Sequence, residues 1–190
     1  GSVYASTIAT PKTIIDNGGA PSVALVGENI FVSLGIYFTK STDAGNSFSV
    51  PIDISGGVGI GEASALAAIG TNVYVVWPGV ANPSFGVDGI YLAKSTDSGS
   101  SFSSPVRIVS ALASNSIHLV ETKASGDLVY VTWIDENINQ VGFIRSNDGG
   151  MTFFSPIIVS ADISETADVP TITTAGKDVY VAWIENPEPD

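Results

Sequence analysis

The chain has no cysteine, and in 190 residues it carries one histidine, one methionine and seven basic residues against nineteen acidic ones. Without cysteine there is no disulfide framework, no thiolate zinc cluster and no thiol chemistry. The formal net charge of −12 is the reverse of what neutralising phosphates requires, which excludes nucleic-acid binding and docking on anionic membranes. Long apolar runs are missing too. None approaches the roughly 18 residues of a membrane helix, so membrane insertion is not expected. No segment shows helical periodicity.

What remains is an apolar chain: 44% of residues are hydrophobic, 14% are charged and the mean hydropathy is +0.32. Strands buried on both faces account for this, because they read as nearly continuous Val, Ile, Leu and Tyr runs. No leader pattern is visible at the N-terminus, where Gly1-Ser2 reads as an expression remnant. The acidic surface fits an extracellular or cell-surface setting.

Internal repetition dominates the sequence. Three segments align without a gap: Ser41-Thr-Asp43-Ala-Gly45-Asn-Ser47-Phe48, Ser95-Thr-Asp97-Ser-Gly99-Ser-Ser101-Phe102 and Ser146-Asn-Asp148-Gly-Gly150-Met-Thr152-Phe153. Each is followed by a proline (Pro51, Pro105, Pro156) and a short β-rich run. Before each box lies an aromatic β run with glycine four residues ahead of the aromatic, and a fourth such run closes the chain. The aromatics Phe31, Tyr74, Tyr130 and Tyr180 stand 43, 56 and 50 residues apart. That period suits four-stranded propeller blades. Within a blade, strand a is a small-residue run, strand b the aromatic run, strand c the Ile-Tyr-Phe-Thr-Lys type, and strand d follows the proline; the box is the c–d turn. The expectation is a single all-β domain, 1–190, forming a β-propeller of about four blades at 20–55, 62–110, 116–160 and 168–190, the last joined by 1–16. Thr7–Asp16 aligns with the back half of a box plus strand d, and Val3–Ser6 stands where strand c would. This segment is a candidate to complete the last blade, in competition with self-association through the chain ends or with mid-blade cuts of a longer ring.

The Ser-x-Asp-x-Gly-x-Ser/Thr-Phe turns resemble the Asp-box (BNR) repeats of the sialidase-like propeller superfamily, along nearly the whole chain. The resemblance implies the fold; it does not imply an activity, since such repeats also occur in non-enzymatic propellers. Asp43, Gly45 and Phe48, with Asp97, Gly99 and Phe102 and with Asp148, Gly150 and Phe153, read as structural. The Asp accepts backbone N–H groups in the turn, the Gly takes a positive φ and the Phe packs beneath the sheet. Calcium is the alternative, but the spacing differs from an EF-hand loop. The resemblance also implies that a sialidase would hold its substrate carboxylate with three arginines. Only Arg107 and Arg145 are present, and the family's Phe/Tyr-Arg-Ile-Pro element is absent. The expectation is therefore a non-sialidase member that is not an enzyme.

Two residue sets merit attention on the face opposite the boxes. The b–c loops carry Trp77 with Asp88, Trp133 with Asp135, Glu136 and Asn137, and Trp183 with Glu185. Aromatic platforms beside carboxylates and amides suit sugar binding, while recurrence of Trp at one repeat position suits packing between blades. Twelve residues before each strand-b aromatic stand Gly19, Glu62, His118 and Asp168. The last three would ring a channel rim, read as solvated polar residues with a divalent cation as the alternative. No cofactor is expected. Gly57-Val-Gly-Ile-Gly61 leads into a strand, so it reads as a flexible connection and not a phosphate loop. The leading expectation is a binding or adhesion module for a glycan or protein ligand. The alternatives are an assembly protein and a glycoside-acting enzyme using Asp135, Glu136 or Glu185.

Overall fold

The computed structural model describes residues 21–60, 64–82, 84, 86–111, 117–160 and 165–187. The proposed N-terminal closure by 1–16 lies outside them.

All regular elements in the described residues are strands. The first blade runs β1 (Pro21–Val26), β2 (Asn29–Leu34), β3 (Tyr37–Ser41) and β4 (Ile52–Asp53). The second holds β5 (Gly59–Ile60), β6 (Ala65–Ile69), β7 (Asn72–Val80), β8 (Gly89–Ser95) and β9 (Val106–Ser110). The third is β10 (Ile117–Ser125), β11 (Leu128–Asp135), β12 (Gln140–Ser146) and β13 (Ile157–Ile158), and the fourth shows β14 (Glu165–Ala175) and β15 (Asp178–Pro187). Each sheet is an antiparallel meander in sequence order, with β6 pairing the same edge of β7 as β5 does. The fold is an all-β propeller of blades, as the repeat predicts. One local reading changes: Gly59–Ile60 is not a loose connection but pairs with Gly79 and Val80. It finds a partner because β7 is three residues longer than β2 and offers a free stretch of edge.

The a–b hairpins follow from one residue type. Gly27, Gly70, Gly126 and Gly176 sit at the first turn position with φ between +56° and +63°, the requirement of a type II′ hairpin. A Cβ there would touch nothing, so conformation alone selects glycine.

Alternation along strand b then builds the cores. On β7, Val73, Val75 and Trp77 face the first blade, where they meet Phe31 and Phe38, with Leu66 of their own blade in the same cluster. Tyr74 and Val76, one residue out of phase, face the third blade's Val129, Val131 and Trp133. The third and fourth blades meet through Tyr130, Phe143 and Ile172, and through Ile134, Val141 and Ala167. Stacked b–c aromatic pairs recur at Phe31–Phe38, Trp77–Tyr91 and Tyr130–Phe143, with centroids 6.0–6.4 Å apart. Each fully buried large side chain contributes roughly 1.5–3 kcal/mol, so these interfaces, and not isolated blades, hold the fold.

The box turns are tied identically in all three blades. Ser41 Oγ donates to Asp43 Oδ1 at 2.7 Å and accepts from the Gly45 N–H at 2.8 Å. Asp43 also accepts from the Ser47 N–H and Oγ, at 2.9 and 2.6 Å. The same bonds recur around Asp97 and Asp148. Each turn is further pinned to the a–b turn of its own blade, through Ala44 N–H to Glu28 O, Ser98 N–H to Thr71 O and Gly149 N–H to Asp127 O, at 2.8–3.2 Å. Box turns and a–b turns therefore share one end of the molecule.

Candidate functional site

The b–c loop residues come apart when placed in the fold. Trp77 and Trp133 are buried between blades, where the alternation of strand b directs them, and neither offers a stacking platform. Trp183 is half-buried and donates from Nε1 to Glu185 Oε1 at 2.8 Å. Asp88 accepts from the Tyr91 hydroxyl at 2.9 Å and faces Arg107 at 3.8 Å. Burial, reinforced by that carboxylate, pushes the Tyr91 phenol upward. Asp135 is buried, and its Oδ1 accepts the Asn137 N–H at 3.1 Å, so it closes its own loop. Glu136 pairs with His118 Nε2 of β10 at 3.2 Å.

The channel-rim positions are partly visible. His118 lies in β10; Glu62 and Gly19 lie outside the described residues, as does the Asp168 side chain, although its backbone pairs with Ile184 in β14. Among the described residues no three His, Asp or Glu side chains gather as a metal site.

The innermost strands hold a feature that the sequence reading missed. β10 and β14 each break register, between His118 and Glu121 and between Asp168 and Thr171. Each bulge puts a bulky residue in the left-handed region, Leu119 at φ +47° and Val169 at φ +48°. This conformation costs on the order of 1–3 kcal/mol and persists where surrounding structure enforces it. The two bulges border a cleft of about 190 Å³, at the end opposite the box turns, lined by Pro21 and Ser22 of β1, Ser64, Leu119 to Glu121 of β10, and Val169 and Pro170 of β14. Among the described residues, the innermost strands of the blades thus converge on one hollow.

Among the described residues, Glu121 is the only carboxylate in that lining. It is half-buried, and desolvation raises its pKa against a smaller opposing pull from Lys123. Ser22 and Ser64 add hydroxyls held in place: Ser22 Oγ accepts the Leu66 N–H and Ser64 Oγ donates to Ser33 Oγ, each at 3.0 Å. The lining therefore combines apolar walls, anchored hydroxyls and a carboxyl that keeps its proton more readily than an exposed one. A signal was available in the sequence. The positions equivalent to Glu121 are Ser22, Ala65 and Thr171, each paired across to strand b in the same register. A glutamate among small residues at an innermost position stands out once that register is fixed.

The box carboxylates behave differently. Ser47 and Ser41 hold the Asp43 carboxyl down at about 2, and the corresponding hydroxyls and amides push Asp97 and Asp148 lower still. They are ionised turn staples, spent on their own loops.

Neither a family model nor a curated protein matches this chain. Solved structures do. A xylan β-1,4-xylosidase from Bacillus halodurans C-125 superposes on 88% of the chain with a TM-score of 0.57 at 15% identity, over 37% of its own length. Hadza microbial sialidase Hz136 matches 90% of the chain with a TM-score of 0.54 at 15% identity, over 44% of its length. The Bacteroides ovatus protein described as xyloglucan PUL GH43B matches 86% with a TM-score of 0.54 at 16% identity, over 35% of its length. The chain thus spans less than half the length of these three proteins. The likeness shows a shared β-propeller fold. It also overturns the expectation that the chain is not an enzyme, because the frame it shares is that of proteins named as a xylosidase and a sialidase. The shortage of arginines bears on sialidase chemistry alone.

Proposed function

We propose that this chain is a carbohydrate-acting propeller that takes one sugar unit into the cleft between its innermost strands. The observation that carries the reading is the convergence of β1, β10 and β14 on a hollow holding the half-buried Glu121 carboxyl and two anchored hydroxyls. The cleft is smaller than the roughly 300–1,000 Å³ of sites for drug-sized ligands, which suits a single ring and not an extended chain. Val120, Val169 and Pro170 offer apolar contact to C–H groups, and Ser22 and Ser64 offer hydrogen bonds to hydroxyls. Glu121, its pKa raised by burial, is suited to share its proton with a glycosidic oxygen as a general acid.

Hydrolysis of a glycoside uses a second carboxylate. Asp168 is our candidate for it on its place in the chain, directly before Val169, which borders the cleft. The names of the xylosidase and the sialidase that share the fold support a glycoside as substrate class. The extracellular or surface setting belongs to the same proposal, polymeric glycans being met there.

A panel of chromogenic aryl glycosides, covering pentosides, hexosides and sialosides, tests the reading. Turnover of at least one is expected, with loss of about 10²–10⁴-fold in Glu121→Gln, the range for removing a general acid, and a comparable loss in Asp168→Asn. Turnover indifferent to Glu121→Gln, or an inert panel together with no calorimetric binding of the free sugars, refutes it.

A further inference from the structure

Two residues that wall the cleft break a rule the rest of the chain keeps. Elsewhere among the described residues, positive φ falls on glycine, or on Ala44, Ser98 and Asn139 in turns. Leu119 and Val169 adopt it inside strands, at +47° and +48°, where a bulky or β-branched residue is an outlier. Burial does not compensate, since Leu119 is 45% and Val169 54% exposed. Glycine would hold either bulge with less strain. The fold thus gains little from these two side chains. Yet the exception is made twice at one repeat position, eleven residues before Tyr130 and eleven before Tyr180. Both side chains border the cleft beside Glu121.

Charge narrows what the cleft can hold. Among the described residues of the lining, Glu121 is the one ionisable side chain. A carboxylate carried in on a sugar would lose its water beside apolar walls and a second carboxyl, with no cation in the lining to pair it. An uncharged ring meets what it needs, hydroxyls from Ser22 and Ser64 and apolar surface for its C–H groups.

We propose that Leu119 and Val169 are specificity-determining residues, two apolar jaws that grip the C–H face of an uncharged sugar ring in a cleft that rejects acidic sugars. The inference rests on the cleft being a sugar site, and adds to that reading the class of sugar and a use for the strain. Bulges re-aim side chains, and these two hold apolar groups at the cleft.

The test uses the full chain with Leu119→Asn and Val169→Asn, singly and together. Asparagine accepts the left-handed conformation and removes the apolar contact. The probes are 4-nitrophenyl glycosides of xylose, glucose and galactose, with 4-nitrophenyl glucuronide and sialoside as acidic counterparts. For the best neutral probe, KM, or the calorimetric Kd of the free sugar where turnover is absent, should rise about tenfold in the double variant. The kcat should change little, as for lost uniform binding, and the urea midpoint should hold or rise as strain is relieved. The acidic probes should be used at least about tenfold less well than the best neutral one. An unchanged KM or Kd, a midpoint that falls, or an acidic probe used as well as a neutral one overturns the jaws; turnover that still depends on Glu121 then leaves the sugar site standing. Neither turnover of any probe nor binding of any free sugar overturns both.

Discussion

Replacing Trp77 by alanine separates the two roles that its sequence position allowed. The side chain is fully buried between the first and second blades, packed on Tyr91 with centroids 6.4 Å apart. Truncation removes the transfer energy of the indole and leaves a cavity that strands on both sides hold open. At about 24 cal/mol per Å³, a residual void of roughly 100 Å³ alone costs about 2.4 kcal/mol. With the lost transfer term the total falls in the observed range of about 3–5 kcal/mol for Trp or Phe to Ala. That is a large share of a typical stability of about 5–15 kcal/mol. At about 2–4 °C per kcal/mol for a chain of this size, the melting temperature drops by about 6–20 °C. Trp77→Phe makes the contrast. The buried Nε1–H has no hydrogen-bond partner, so its removal relieves a desolvation cost that offsets part of the lost volume, and the loss stays within about 1.5 kcal/mol. Trp183→Ala, half-buried, stays within about 1 kcal/mol. Urea unfolding of the three variants measures all of this. A Trp77→Ala protein as stable as the parent, or one destabilised no more than Trp183→Ala, would refute the packing account.

Other outcomes follow from the same geometry. Glu121, raised above its ordinary 4.5 by burial, contributes stability that is present at acid pH and is lost as pH rises through its folded value; Glu121→Gln should therefore gain on the parent from pH 4 to pH 8 in urea midpoints, and a constant gap refutes this. Gly142→Ala drives a methyl into the Trp133 ring and should cost about 1–3 kcal/mol or more by overpacking, seen as a lower denaturation midpoint. Tyr74→Phe removes a buried hydroxyl without a partner and should be neutral or stabilising in the same assay. The Asp43 carboxyl, lowered to about 2 from 3.8, contributes stability present above pH 3.8 and lost as pH falls through about 2; carboxyl ¹³C titration should show this, and an ordinary titration midpoint would refute the turn-staple role.

Particular residues show what was legible and what was not. The a–b hairpins, the box turns and the order of strands follow from local chemistry: a glycine that alone tolerates the turn conformation, an aspartate within reach of its own loop's amides, and period-two alternation. Such interactions span a few residues, so a sequence contains them. Trp77 and Trp133 were ambiguous because a tryptophan at the end of a strand looks the same whether a neighbouring blade covers it or not. Asp135 was misleading for a similar reason, since its buried bond to Asn137 depends on how the b–c loop folds back.

By itself, then, the sequence determined an all-β repeat, the register of each blade and the face on which the box turns lie. Only the tertiary structure decided which residues meet between blades. The bulges at Leu119 and Val169, separated by 50 residues of chain, border one cleft beside Glu121 because neighbouring blades bring their innermost strands together. The same packing buries two tryptophans and seats two box turns on the preceding blade. Contacts of that range depend on the angle between sheets, which no local pattern of residues records.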